Sequence, residues 1–481
     1  LMKDSPNYNL LQSYLSMWGG EGNSTTGTNR PFGKLTFNHE VSGDEVQNYK
    51  RALDLRTAVS TVNYDMDGTS YSREAFLSNP AQVLVMKYSA DDAGSITFDV
   101  NFETEEINGG TGTVIAGGDY LEWDGAVYNN SNVTNGVKTF GYLKAINTGG
   151  SVTYDENGAH IDGADEVVLI LSIGTNFTAG ENFVQNTKEN CKSQLDAAAA
   201  RSYDELKSEH INDVQPFFDR MKVEIGPDDE LLSQDPTDVR FEKIRNGGEI
   251  DGSFMSLWYQ YARYLMIAGS RENSPMPMNL QGMWNDNVAA NMAWTNDYHL
   301  DINIEMNQWM STSANLAESE IPIFNFLKNI LIPHGKITAS KQYATTGNEE
   351  IGIGTGWVTS IATNGFGYTG NTGEVGAWHG NTTCGAWLVQ EVMNYFDATW
   401  DIDFLRDTGF QILKDTADFY LNYMIQYTDD DGNTYWVTAP SSSPEHGNIE
   451  MMSTMEITII NDIRAGPQML RYTRYGARRI L

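Results

Sequence analysis

Basic residues are scarce in this chain. Thirty-one Lys and Arg stand against 64 Asp and Glu over 481 residues, a formal net charge of −33. Such a surface repels the phosphates of nucleic acid and of anionic lipid headgroups, so neither is an expected partner. It suits a saline or extracellular setting as well as it suits an ordinary solvated face. Cysteine is scarcer still, with only Cys191 and Cys384, far apart and with no CxxC or Cys/His ligand set. A zinc site is therefore not expected, nor any other metal or cofactor. Cys384, just before an apolar helical pattern, reads as a small packed residue and not as a nucleophile. No run approaches 18 apolar residues, so no membrane-spanning helix is expected. No signal peptide opens the chain, which starts at Leu1 and not at Met, as a piece of a longer protein would. Sequons at Asn23, Asn129, Asn132, Asn176 and Asn381, taken with the acidity, give an expectation of an extracellular or periplasmic protein.

What is present is an ordinary globular composition, 40% hydrophobic and 11% aromatic, enough for two or three domains with real cores. Residues 1–185 read as β. The run Thr57 to Tyr64 reaches the hairpin signal Asp67-Gly68, and Tyr71 to Phe76 returns. Val83 to Tyr88 and Ile96 to Val100 continue the pattern, and the apolar run Val167 to Ile173 suits a central strand. Short strands with Gly-rich turns predict a β-sandwich. From about 187 to 222 the period becomes helical, through Leu195, Ala199, Tyr203, Leu206 and His210, with Pro216 as an interruption or a new start. The segment 186–248 is thus a helical linker, ending in an acidic, Gly-rich stretch. From 249 to 481 helices dominate. Phe254 to Ile267 is apolar enough to be buried, and 321–333, 385–399 and 409–427 give three more. Long loops at 279–303 and 351–383 separate them and are the natural place for a binding site.

The first of those loops carries the chemistry. His299, Asp301, Asn303, Glu305 and Asn307 recur at a two-residue interval, with Trp284, Trp294 and Trp309 around them. Paired donors and acceptors suit sugar hydroxyls, and an aromatic ring packs against the C–H face of a sugar. The competing account is an Asn-rich loop bonded to its own backbone. If the segment is extended, the interval sets His299, Asp301 and Asn303 on one wall.

Leu280-Gln281-Gly282-Met283-Trp284-Asn285-Asp286, followed by Trp294 to Trp309, resembles the signature of glycoside hydrolase family 95, the inverting α-L-fucosidases. Thr438-Ala439-Pro440-Ser441-Ser442-Ser443-Pro444-Glu445 resembles the same family's T-x-P-S-x-S-P-E motif. Tyr49 to Leu55, with Asp67-Gly68 and Tyr71 to Glu74, extends the likeness to about 45–463. The resemblance implies a multidomain β + α fold: a β-sandwich, a helical linker and a partial (α/α)6 barrel. It implies an exo-acting hydrolase that removes terminal α-L-fucose, or a related L-sugar, from a fucosylated glycan. Glu445 matches the general acid, for which an apolar surrounding that raises its pKa is expected. His299 matches a sugar-binding histidine, and Asp301 and Asn303 match the two Asn that orient the attacking water. Trp284, Asn285, Trp294, Asn307, Trp357, Trp378 and His379 are the further candidate sugar contacts.

The chain also departs from the pattern. Asp301 stands where the family has Asn, and a carboxylate there could itself accept the proton of water. Thr359 to Asn364 replaces a family loop that shapes the substrate pocket. The family's polarising Asp lies beyond residue 481. From Arg464 the sequence carries five Arg and no acid, which reads as a misread gene end, with a genuine basic tail as the alternative. Two rival functions follow: a catalytically inactive carbohydrate-binding protein of the same fold, and a phosphorylase, for which the 279–309 loop lacks a flanking basic cluster. Oligomeric state is not legible.

Overall fold

The computed structural model describes residues 29, 33–39, 45–103, 111–126, 137–177, 187–226, 234–248, 251–284, 296–343, 356–370 and 381–472. Two compact units emerge, Phe32–Thr178 with Val184–Ala268, and Gly269–Leu481 with Leu1–Pro31 and Ala179–Phe183.

The first unit is built on twelve antiparallel strands in two sheets. One sheet runs β1 (Lys34–His39), β6 (Ile96–Glu103), β11 (Gly158–Ala164), β10 (Ser151–Asp155). The other runs β2 (Gln47–Asp54), β3 (Val59–Met66), β4 (Thr69–Ser78), β5 (Val83–Ala90), β12 (Glu166–Thr175), β9 (Lys138–Thr148), β8 (Leu121–Ala126), β7 (Thr111–Ala116). Asp67 and Gly68 both take positive φ between the paired Met66 and Thr69, the tight turn that the sequence predicts. The apolar run on β12 has a simple cause. Val167 and Leu169 pack with Phe98, Val100 and Ile161 of the smaller sheet. Val168 and Ile170 pack with Cys191, Leu195 and Leu206 of the helices on the opposite face. A strand covered on both faces needs apolar residues at every position and not at alternate ones.

The helical stretch predicted over 187–222, with its interruption or new start expected at Pro216, is two helices that divide earlier, α1 (Lys188–Ala199) and α2 (Tyr203–Asp219). Ser202 makes the break. Its hydroxyl accepts from the Glu205 N–H while the Glu205 carboxylate accepts from the Ser202 N–H, a reciprocal cap that starts a new helix. Pro216 lies inside α2 near its end. After α3 (Thr237–Arg245) comes α4 (Gly252–Gly269). Its wholly buried Arg263 donates to the carbonyls of Phe217, Phe218 and Met221, which the end of α2 leaves unsatisfied. The sequence reading starts the C-terminal domain at 249, whereas by its contacts α4 belongs with the β unit as far as Ala268. Nor is α4 wholly buried, since Trp258 and Tyr261 are exposed.

The second unit is helical. It contains α5 (Asn303–Gln308), a helical stretch over 317–343 that includes α6 (Ile321–Phe326) and α7 (Ile332–Tyr343), then α8 (Cys384–Thr399), α9 (Phe410–Tyr423) and α10 (Thr454–Tyr472). Between α6 and α7 the turn Leu327–Leu331 widens to a π-helix. Pro333 supplies the reason, because its ring collides with the carbonyl four residues back and offers no N–H. A two-residue pair, β13 (Tyr298–His299) with β14 (Ala362–Thr363), joins two loops, and two short hairpins, β15 (Ile425–Thr428) with β16 (Thr434–Val437) and β17 (Ser441–Ser443) with β18 (His446–Glu450), fill the connection from α9 to α10. Helix α10 runs on through Arg464 to Tyr472, and 473–481 lie outside the described residues. Among the described residues no helix is long and apolar enough to cross a membrane.

Candidate active site

Tyr298–His299 pairs antiparallel with Ala362–Thr363, and the Leu300 N–H donates to the Ile361 carbonyl at 2.7 Å. The pairing ties together two loops far apart in sequence. Tyr298 points into the core, buried against Phe326 with ring centroids 4.9 Å apart. Alternation along an extended backbone turns Asp297 and His299 the other way. Asp297 is fully buried, and its Oδ1 lies 2.6 Å from Nδ1 of His299. The expected extended wall stops there. Asp301 and Ile302 form a turn and Asn303, half-buried, opens α5, so a helical period replaces the two-residue interval. In consequence Glu305 is buried in the core. Asn307 is tied to the main chain, donating to the Asn279 carbonyl at 2.8 Å. That bond is of the kind the backbone-bonded reading expects.

Asp301 keeps an unusual environment. Its Oδ1 is buried and has no hydrogen-bond partner among the described residues. Burial pushes its carboxyl above the usual carboxylate range; His299 opposes this, and the charges of Glu445 and Asp297 add to it. His299 responds in the complementary way. Burial lowers its pKa, but the bond to Asp297 and the charges of Asp297, Asp301 and Glu445 outweigh that and raise it above the ordinary imidazole value. The charge of Glu445 thus reaches both His299 and Asp301.

Glu445 is brought there by a hairpin. Ser443 pairs with His446, leaving Pro444 and Glu445 as the two-residue loop between β17 and β18. Pro444 fits the first loop position, and the second requires positive φ, a place that favours Gly or Asn. Glu445 occupies it with φ 58°, a strained conformation of the kind that collects at functional sites. The expected apolar surrounding is not seen among the described residues. Glu445 is exposed at the tip of the turn, because the buried members of the motif lie below it in the strands.

Those members are held by a residue that sequence reasoning missed. Glu456, near the start of α10 and wholly buried, accepts from the Thr438 hydroxyl at 2.6 Å and from the Thr382 N–H and hydroxyl at 3.0 and 2.8 Å. The Ser453 N–H donates to the Ser441 hydroxyl, and the Asn381 amide donates to the Ser442 carbonyl. Asn381 is buried and bonded, which disposes of its sequon as a glycosylation site. Cys384 is a packed residue, fully buried beside it.

The remaining candidates divide. Trp284 is exposed, with its ring beside Gly269 and Gly282. Trp357 lies in the core. It is buried, its indole N–H donates to Thr416 at 2.8 Å, and its ring lies so close to Gly385 of α8 that a Cβ there would meet it at 2.6 Å. Asn285, Trp294, Trp378 and His379 lie outside the described residues. Thr359 to Asn364, the departing loop, is the segment paired beside His299, and the Ser360 hydroxyl is buried with no hydrogen-bond partner among the described residues. Glu305, Glu320 and Glu391 are three further buried carboxyls. Among the described residues no group of His, Cys, Asp and Glu is placed to hold a metal ion.

Residues 202–466 match the profile of the glycosyl hydrolase family 95 catalytic domain, and residues 8–180 match that of the glycosyl hydrolase family 65 N-terminal domain. The chain is 28% identical to alpha-L-fucosidase 2 of Arabidopsis thaliana over 87% of its own length and 51% of that protein's. It is 29% identical to the probable alpha-fucosidase A of Aspergillus niger over 84% of its length and 50% of that protein's. It therefore spans about half the length of the curated relatives it matches. A solved putative kojibiose phosphorylase from human microbiome superimposes with TM-score 0.58 at 12% identity, covering 93% of this chain and 56% of that one. That likeness shows the fold, a β-sandwich followed by helices of an (α/α)6 barrel.

Proposed function

The chain belongs to glycosyl hydrolase family 95, and on that footing we propose that it removes terminal α-L-fucose, or a related L-sugar, from fucosylated oligo- or polysaccharides with inversion at the anomeric carbon. Glu445 protonates the departing glycosidic oxygen. Asp301, with Asn303 beside it, takes the proton from the water that attacks the opposite face. Inversion with a water between the two carboxyls requires them to stand about 6.5–9.5 Å apart.

The observation that carries this reading is that Glu445, from the 438–445 motif, acts by its charge on His299 and Asp301, from the 294–309 motif. An Asp in place of an Asn supplies a proton acceptor within this chain. Its upward-pushed carboxyl is closer to working pH, where a general base is most effective. The exposed Trp284, with the buried Oδ1 of Asp301 and Oγ of Ser360, which have no partner among the described residues, offers apolar and polar contacts to a sugar. The fucoside assignment rests on the two relatives, whose names state that specificity. Secretion to an extracellular or periplasmic setting belongs to the same proposal and rests on the acidity.

Proton NMR of the first product decides the reaction class. Hydrolysis of an aryl α-L-fucoside should release β-L-fucose first, which then mutarotates. Initial release of the α anomer would remove the inverting mechanism. Sugar binding without any turnover would instead favour an inactive carbohydrate-binding protein.

A further inference from the structure

We infer that Asp297 is a positioning residue of this centre: it holds the His299 imidazole with a proton on Nδ1, so that Nε2 is the atom turned to the sugar. This rests on the reading above for the identity of the ligand, though not for the geometry of the pair.

The argument begins with the backbone. His299 is pinned opposite Ala362, and the next N–H is bonded to Ile361, so only rotation about the side-chain bonds remains free. The 2.6 Å contact from Nδ1 to the fully buried Asp297 carboxylate removes that freedom. An ionised carboxylate only accepts, so Nδ1 must carry the hydrogen. Among the described residues the protein offers Nε2 no partner. Among the described residues the charged groups that act on the ring are Asp297, Asp301 and Glu445, all acidic, and the paired strand Ala362–Thr363 brings none. Three carboxylates around one imidazole favour the ring that keeps both hydrogens. In that form Nε2 donates to a sugar oxygen while Asp301, two residues on, can only accept. The two groups therefore read opposite ends of a hydroxyl arrangement. An Asp–His pair with a buried carboxylate sets ring orientation and charge without itself touching the ligand.

The test is an NMR titration of the purified protein with ring-labelled histidine, His299 being assigned by its loss in His299→Gln. Asp297→Asn should lower the His299 midpoint by about one pH unit or more, since a neighbouring anion is lost. In the same variant KM for an aryl α-L-fucoside should rise by more than kcat falls. Asp297→Glu, which keeps the charge, should restore much of the midpoint even if it lowers thermal stability. A folded Asp297→Asn protein with an unchanged His299 midpoint would overturn the inference. Lost stability with the midpoint unmoved in the remaining folded protein would also overturn it, leaving Asp297 a merely structural residue. The titration needs no turnover, so it stands apart from any failure of the fucosidase reading.

Discussion

Glu305 is a carboxyl held in the core without compensation. It is fully buried, and neither carboxyl oxygen has a hydrogen-bond partner among the described residues. Burial first, and then the charges of Asp301 and Glu391, push its pKa well above the usual range. Glu320 is similar, with one oxygen taken by the Ser311 hydroxyl and the other unpartnered, and burial raises Glu391 as well. An acid raised in the folded state binds its proton more tightly there than in the unfolded chain. Its stability contribution is complete below the unfolded value near 4 and is lost as pH rises through the folded value. Glu305→Gln, neutral and of the same shape, should therefore raise the melting temperature at pH 8, by the equivalent of about 1–3 kcal/mol. At pH 5 it should change little. Thermal unfolding of both proteins across that range checks this, and equal effects at the two pH values would show that Glu305 is not held neutral.

Among elements, the hairpin Ser441–Glu450 depends on a helix that follows it in sequence. Thr438 and Thr382 meet on the Glu456 carboxylate, and Ser453 binds Ser441, so the start of α10 anchors the motif that lifts Glu445 into place. Glu456→Ala strands three buried donors at about 1 kcal/mol or more each. It should lower stability by roughly 3 kcal/mol and reduce activity without contacting substrate. Denaturant unfolding alongside assay tests it, and unaltered stability would show that the hairpin stands on its own. The dependence also marks how far sequence reading reaches. His299, Asp301 and Glu445 drew notice in the sequence by their motifs, with Asp301 departing from the pattern, and the charge of Glu445 acts on the other two. The partners of Trp357 and Asn307 were not legible, because a tryptophan or amide looks the same in sequence whether it meets a ligand or a neighbouring Thr or carbonyl. Asp297 stood at the same two-residue interval as His299 and Asp301, a signal that was available. Glu456 had no signal, since only tertiary packing joins it to Thr382 and Thr438. The two-residue ladder failed at Asn303, where helix formation overrides strand alternation.

At the scale of the molecule, composition and periodicity anticipated the β and helical regions, and β12 showed its central place by apolar residues on both faces. Helix α4 is strongly apolar, yet its contacts group it with the β unit as far as Ala268. A net charge of −33 sits over a candidate centre that is itself acidic, with Asp297, Asp301 and Glu445 around one histidine. That balance suits the handling of a neutral sugar by proton transfer and disfavours an anionic co-substrate such as phosphate. The central claim is that Glu445 gives the proton to the leaving group. Its most direct test is the activity of Glu445→Gln on paired α-L-fucosides with poor and with good leaving groups. The variant should lose nearly all activity on alkyl or glycosyl fucosides while keeping much of its rate on a dinitrophenyl fucoside, which leaves without protonation. Equal loss on both would contradict the account.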